Sequence, residues 1–257
     1  MNSLILSHMK VATWNVNGIR ARAPQIVDWI AAEQPDIMCL QEIKASPSQV
    51  PMPLCDLENY WCYWHGAKGY SGVGLLFRRN TFQESPKFEH PEFDYETRIV
   101  TVTHANIVYA SVYVPNGGKD FEAKMRFVES LRLFTKSIHQ EGQSLIMCGD
   151  MNIARSEMDV HPKERRPRAI GQLPEERAAF ENILAQGLVD VGRTLDPNND
   201  QLFTWWAPWR NMRQRNIGWR LDYVLASEKI ANTAKSCIVF REIGTSDHAP
   251  VLAHFEM

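Results

Sequence analysis

An α/β fold of two packed mixed β-sheets flanked by helices is predicted for this 257-residue chain by three observations. Apolar runs of strand length outnumber helical stretches, helical patterns fall in both halves, and a strand–helix–strand opening gives way to hairpin-like pairs of runs. A Rossmann layout would alternate more regularly, and Asn15-Val16-Asn17-Gly18 after the first run lacks the spacing of a dinucleotide fingerprint. With no Gly/Ser/Pro linker, low-complexity tract or helical repeat, one domain over residues 9–257 is expected. Met1–His8 is too short and too lightly charged for a secretory signal, and reads as a short leader.

The first strand starts near Met9 and runs out at Asn15. Pro24–Glu33 reads as a helix, with an early proline and Ile26, Val27, Trp29 and Ile30 on one face. Ile37–Leu40 is a second strand that ends in Gln41-Glu42. Strands are predicted at Ser71–Phe77, Ile99–Thr103 and Ile107–Val114, the last stopped by the turn Pro115-Asn116-Gly117-Gly118. Glu122–Glu141 spaces Phe127, Leu131, Phe134 and Ile138 for one buried helical face. Leu145–Cys148 reads as a buried strand broken by Gly149. Pro174–Gln186 is a helix opened by Pro-Glu-Glu and closed at Gly187. Short strands are expected around Phe203–Trp206, Leu221–Ala226, Cys237–Phe240 and Val251–Phe255.

Apolar residues make up 44% of the chain, enough for a sizeable core. No run approaches the roughly 18 apolar residues of a membrane span. The 5 cysteines (Cys39, Cys55, Cys62, Cys148, Cys237) lack any Cys-x-x-Cys spacing, which argues against a zinc knuckle or disulfide scaffold and suits a reducing cytoplasm. A net charge of −2 excludes a global attraction to nucleic acid, but the charge is patchy. Lys163–Arg168 is one basic block; Arg210, Arg213, Arg215 and Arg220 form another, interleaved with Trp209 and Trp219. Cations mixed with aromatics suit a phosphate backbone and a base or sugar face, whereas a merely solvated loop explains the tryptophans poorly.

Four apolar runs end in chemistry: Asn15, Glu42, Asp150-Met151-Asn152, and Asp247-His248. Singly, an Asp after Gly is most often a turn former. Four such ends in one chain point to a single hard-metal site with a built-in acid/base pair. Its oxygen ligands favour Mg²⁺ or Mn²⁺ over Zn²⁺. Asp150 can take a proton from water with Asn152 orienting it. His248 can share the acid/base work, and Asp222 is suited to bond its other ring nitrogen.

Six blocks, in order, resemble the exonuclease III family of apurinic/apyrimidinic (AP) endonucleases. They are Trp14–Arg20, Leu40–Lys44, Val112–Gly118, Cys148–Ala154, Asn216–Tyr223 and Gly244–Pro250. The resemblance covers the chain from about Met9 onward. It implies a DNase I-like four-layer sandwich and Mg²⁺-dependent cleavage 5′ to abasic sites in double-stranded DNA, with added trimming of 3′ ends by exonuclease or phosphatase activity. It implies that Glu42 holds the metal with Asp247 beside it, and that Asn15, Tyr113 and Asn116 orient metal or phosphate. Asp150 and Asn152 belong to both the catalytic and the metal set. Trp205 and Trp219 are similar to the pocket that receives an extruded abasic sugar. Lys44, Arg210, Arg213 and Arg215 are the expected DNA contacts, and a monomer is expected.

The chain departs from the family pattern at Asn17, where some relatives carry Asp, and at Gln172, where an aromatic is usual. Arg165, Arg166 and Arg168 also make their loop unusually basic. Two rivals share the scaffold. An inositol-phosphate phosphatase or sphingomyelinase would share Glu42 and Asp247-His248, but Gly218–Tyr223 and the Pro115–Gly118 turn favour DNA. A catalytically idle binding protein would have lost Glu42 or the Asp150/Asn152 pair.

Overall fold

The computed structural model describes residues 8–82 and 84–256. The leader therefore lies, apart from His8, outside the described residues. The strands are β1 (Met9–Asn15), β2 (Ile37–Gln41), β3 (Tyr60–Ala67), β4 (Tyr70–Arg78), β5 (Phe88–Glu89), β6 (Ile99–His104), β7 (Ile107–Tyr113), β8 (Ser144–Asp150), β9 (Leu188–Asp190), β10 (Asp222–Ser227), β11 (Ala234–Val239) and β12 (Val251–Phe255). The helices are α1 (Ile19–Glu33), α2 (Met52–Cys55), α3 (Phe121–Gln140), α4 (Pro174–Leu184), α5 (Val191–Leu195) and α6 (Glu228–Ala231).

Two six-stranded sheets form, ordered β11-β12-β1-β2-β4-β3 and β5-β6-β7-β8-β10-β9. β1 pairs with β2, and β7 with β8, in parallel; the other ladders are antiparallel. The four-layer sandwich of packed mixed sheets flanked by helices is thus the fold.

Strand periodicity builds the core and the site together. Val11, Cys39, Tyr109, Ile146 and Val224 face the opposite sheet and form the central core. The intervening residues face helices: Ala12, Trp14, Met38 and Leu40 pack with α1, while Ala110, Val112, Leu145 and Met147 pack with α3 and α4. Each fully buried large side chain contributes about 1.5–3 kcal/mol. At the strand ends the inward positions turn polar. Thr13 donates to Gln41 (3.0 Å), whose amide donates to Ser111 (3.2 Å), making a buried polar floor. Beyond it, the inward positions of β1, β7, β8 and β10 are Asn15, Tyr113, Asp150 and Asp222.

Some predicted boundaries move for local reasons. α1 begins at Ile19, so Pro24 sits inside it rather than at its start. The earlier start is fixed by Gly18 N–H donating to Glu42 O (2.7 Å) and Ile19 N–H to Ile43 O (3.0 Å). Gly149 does not break β8, which continues to Asp150. Instead it lets β7 approach: a Cβ at Gly149 would lie 1.8 Å from Val112 O. Phe203–Trp206 forms no full strand, only single-residue bridges from Trp205 to Trp219 and to His248. β3 pairs along β4 although its Trp/Tyr/His run shows little apolar alternation.

Candidate active site

Asn15 lies at the centre of the polar cluster. Its amide donates to Glu42 Oε1 (2.9 Å) and to Asp150 Oδ2 (2.9 Å), bridging the two sheets. Its Oδ1 accepts the Asn17 N–H (3.0 Å). Glu42 has φ 50°, as Asn17 (44°), Lys44 (49°) and Asn152 (50°) are also left-handed. Left-handed backbone at four non-glycine residues costs energy and survives only where the surroundings over-determine it. Here Ile43 N–H donates to Gly72 O and Lys44 N–H to Ser71 O, pinning the segment around Glu42 from the far side. Lys44 Nζ then reaches Glu42 Oε2 (2.7 Å) and Asn17 Oδ1 (2.6 Å). Burial pushes the Glu42 carboxyl up, but the Asn15 and Lys44 hydrogen bonds outweigh it and hold the group below its usual range.

Pairing of β10 with β8 sets Asp222 opposite Asp150. His248 is carried in from the loop before β12, where Ser246 Oγ donates to Asn15 O (2.7 Å) and Trp14 Nε1 to His248 O (3.2 Å). His248 Nδ1 meets Asp222 Oδ2 at 2.8 Å, and its Nε2 lies 3.8 Å from Asp150 Oδ2. Burial alone would lower the imidazole; the Asp222 and Asp150 charges reverse this and lift it to about 10. Asp150 moves upward: burial dominates, and the Asp222 and Glu42 charges add to it against the pull of His248. Asn152 N–H and Nδ2 donate to Asp150 Oδ1 (2.9 Å) and Oδ2 (3.3 Å). A buried carboxyl readily taking and giving a proton thus faces an imidazolium.

The Glu42, Asp150 and His248 ligand atoms lie within 4.8 Å of one another. Two convergent carboxylates make a donor set that fits a hard divalent cation. Asp247 stands outside that trio: its oxygens accept from Asn17 Nδ2 (2.8 Å) and Trp205 Nε1 (2.9 Å). Tyr113 is buried beside Glu42 and Asp150; burial and those charges push its phenol upward, so it remains a neutral donor. Asn116 is exposed and donates to Asn152 Oδ1 (3.3 Å).

The aromatic run divides. Phe203 and Trp206 are fully buried core. Trp205 and Trp219 are half-buried, edge-to-face with centroids 5.6 Å apart, and border Leu221 next to the site. The basic segment also divides. Arg210 and Arg215 are exposed. Arg213 is not placed as a phosphate ligand, a correction to its reading as a DNA contact. Its guanidinium donates to the Arg241 (2.6 Å), Ile243 (2.7 Å) and Ser246 (2.6 Å) carbonyls, holding the loop that carries Asp247 and His248. Arg220 is likewise no DNA contact: it is 4% exposed and paired with Asp159 (2.7 Å) and Asp190 (2.6 Å). Gln172 is buried and bonds Arg166 N–H (2.8 Å) and Glu164 O (3.1 Å), so its amide shapes the basic 163–168 loop.

Two supporting residues escaped notice in the sequence. Lys124 and Glu176 form an ion pair at 2.5 Å with both side chains 0% exposed. Lys124 Nζ also donates to Asn116 O (3.1 Å) and Asn152 O (2.8 Å), so it holds both site amides from beneath. The available signal was a lysine on the buried stripe of α3, three residues before Phe127 and seven before Leu131. Arg98 is a third: it is 1% exposed and lies 4.8 Å over the Tyr113 ring.

Residues 12–248 match the model of the Endonuclease/Exonuclease/phosphatase family. The chain is 35% identical to an exodeoxyribonuclease of Bacillus subtilis (strain 168), over 95% of this chain and 98% of that protein. Its fold superposes on a 3′ phosphatase from Neisseria solved with a product DNA hairpin (TM-score 0.87, 31% identity, 97% of this chain and 100% of that one). It also superposes on an AP endonuclease from Archaeoglobus fulgidus (TM-score 0.86, 29% identity, 97% and 100%). The spread of Asn15, Glu42, Asp150 and His248 across the matched span, on a shared architecture, places the chain in the endonuclease/exonuclease/phosphatase family, within its exonuclease III group of AP endonucleases.

Proposed function

We propose that this protein is a DNA repair nuclease that hydrolyses the phosphodiester 5′ to an abasic site in double-stranded DNA and trims 3′ ends as exonuclease or phosphatase. The carrying observation is the buried Asp150, bracketed by Asn15 and Asn152 and faced by the His248–Asp222 pair. In this reading the protein acts as a single-domain monomer. The 5 free thiols suit a reducing cytoplasm. Among the described residues no helix is long and apolar enough to cross a membrane.

Phosphodiester hydrolysis needs an activated water and neutralisation of charge building on the phosphoryl oxygens. Asp150 accepts the proton of the attacking water as its oxygen bonds phosphorus and the P–O3′ bond breaks, the departing 3′ oxygen taking a proton from bulk water. The amides of Asn15 and Asn152 hold the Asp150 oxygens in place. His248, kept charged by Asp222, offers Nε2–H to a phosphoryl oxygen. Tyr113 and Asn116 line the same edge as neutral donors. Glu42 and Asp150, with Asp247 nearby, would hold Mg²⁺, or Mn²⁺ in its place, which when bound supplies further charge neutralisation at the phosphate. Trp205 and Trp219 would wall the pocket for the extruded sugar, and Lys44, Arg210 and Arg215 the phosphates.

A time course on an abasic duplex and a recessed duplex, with Mg²⁺ and with EDTA, tests the reading against a phosphoinositide panel. Incision of the abasic strand is expected with Mg²⁺ and is lost in EDTA. Glu42→Ala should need more Mg²⁺ for half-maximal rate; an unshifted Mg²⁺ requirement would remove Glu42 from the metal set.

The DNA grip has its own signature. Arg210→Ala and Arg215→Ala should each flatten the salt dependence of DNA affinity by up to about one unit of slope. Arg213→Ala should leave the slope unchanged and instead lower turnover, by loosening the loop carrying Asp247 and His248. Unchanged slopes in both exposed variants would shift the grip to Lys163–Arg168.

A further inference from the structure

Among the described residues a second cluster brings potential metal ligands together and has no part in the proposed chemistry. His65, His90 and Asp94 bring one ligand atom each within 4.8 Å of one another. They come from β3, the end strand of one sheet, and from the segment joining β5 to β6 at the end of the other. We propose that these three side chains form a zinc-class divalent cation site that clips the two sheet edges together.

Outer contacts favour a ligand site over an ordinary surface His–Asp pair. Each of two ligands is oriented by outer contacts, as metal ligands usually are. Asp94 Oδ1 accepts the N–H groups of Arg98 (2.8 Å) and Ile99 (3.1 Å), which leaves Oδ2 directed at His65 Nε2 (2.6 Å). His90 Nδ1 lies 3.3 Å from the Ile99 carbonyl, so it carries the proton and Nε2 keeps its lone pair, met by the Tyr63 hydroxyl at 2.8 Å. The two imidazoles stack with centroids 3.8 Å apart. Tyr63, which meets His90 Nε2, is itself fixed, lying flat on Phe88 at 4.7 Å. Tetrahedral zinc with bonds of about 2.0–2.1 Å needs ligands spaced roughly 3.3 Å apart. The 2.6 Å His65–Asp94 contact therefore opens on binding, and the exposed His90 ring turns out of its stack on His65 to aim its lone pair at the ion. Two nitrogens and one oxygen select Zn²⁺ over the hard cation suited to the carboxylates of the active site. The fourth position is left for water.

The test measures Zn²⁺ binding by equilibrium dialysis in excess Mg²⁺, using full-length protein carrying Glu42→Ala so that the active-site cluster does not compete. One zinc per chain is expected. Adding His65→Ala or His90→Gln should weaken that binding on the order of a hundredfold. Co²⁺ in place of zinc should give the visible bands of a tetrahedral site only when both histidines are present. In the Glu42→Ala background, zinc at a hundredfold above its Kd should raise Tm on the order of 5 °C, and not when His90→Gln is added. His90 is exposed, so its variant keeps the fold and, with Glu42 intact, the Mg²⁺-dependent nuclease activity. Equal zinc affinity with and without the two histidines would overturn the site. That outcome is independent of whether the protein cuts abasic DNA.

Discussion

Asp150→Asn and His248→Ala are each expected to lower turnover on an abasic duplex on the order of a hundredfold or more, while leaving DNA affinity nearly unchanged. Asp150 is 1% exposed and His248 4%, so neither presents much surface to the duplex. Asn at position 150 keeps an oxygen for the Asn15 amide or the Asn152 N–H, but it accepts no proton from water. Loss of His248 removes the cation held 3.8 Å from Asp150 and leaves Asp222 buried without its partner. The two losses should not add in full, because the groups are electrostatically coupled at 3.8 Å. Single-turnover rates at saturating DNA check this. A variant that binds poorly but turns over at the wild-type rate once saturated would make the residue a binding group.

The site was more legible than the scaffold beneath it, for a physical reason. Catalytic side chains must be specific residue types at strand ends, and a polar residue after an apolar run stands out. Asn15, Glu42 and Asp150 were visible in this way and His248 through the Ser246-Asp247-His248 motif, though it enters from the loop before β12 rather than from a strand exit; the structure brings all four together. Arginines carry no such mark. Arg210, Arg213, Arg215 and Arg220 read alike along the chain, yet one holds a loop, one neutralises two buried carboxylates and two are exposed. Which applies depends on Asp159, Asp190 and the 241–246 loop, all distant in sequence. β3 was missed because Tyr60–Ala67 packs partly exposed aromatics against β4 and so hides its alternation. Pro24 misled because backbone bonds to Glu42 and Ile43, just beyond β2, not local propensity, decide where α1 begins.

Lys124→Met is expected to cost about 3–5 kcal/mol of stability, because it leaves the Glu176 carboxylate buried without its cation. Both side chains are 0% exposed, so water cannot readily take the lysine's place. Burial pushes Lys124 down, and the Glu176 and Asp150 carboxylates pull only partly against it. Removing both charges together should be far milder. In Lys124→Met/Glu176→Gln the glutamine oxygen can still accept the Gly171 (2.6 Å) and Leu173 (3.0 Å) N–H groups that Glu176 Oε2 now serves. Urea denaturation midpoints should therefore show the double variant recovering more than half of the loss. Activity should not recover in parallel, because Nζ also tethers Asn116 O and Asn152 O, and Asn152 in turn positions Asp150. A single variant that loses less than about 1 kcal/mol would mean the pair is solvated in solution. A double variant that regains stability and full turnover would instead make Lys124 a packing residue with no hold on the site.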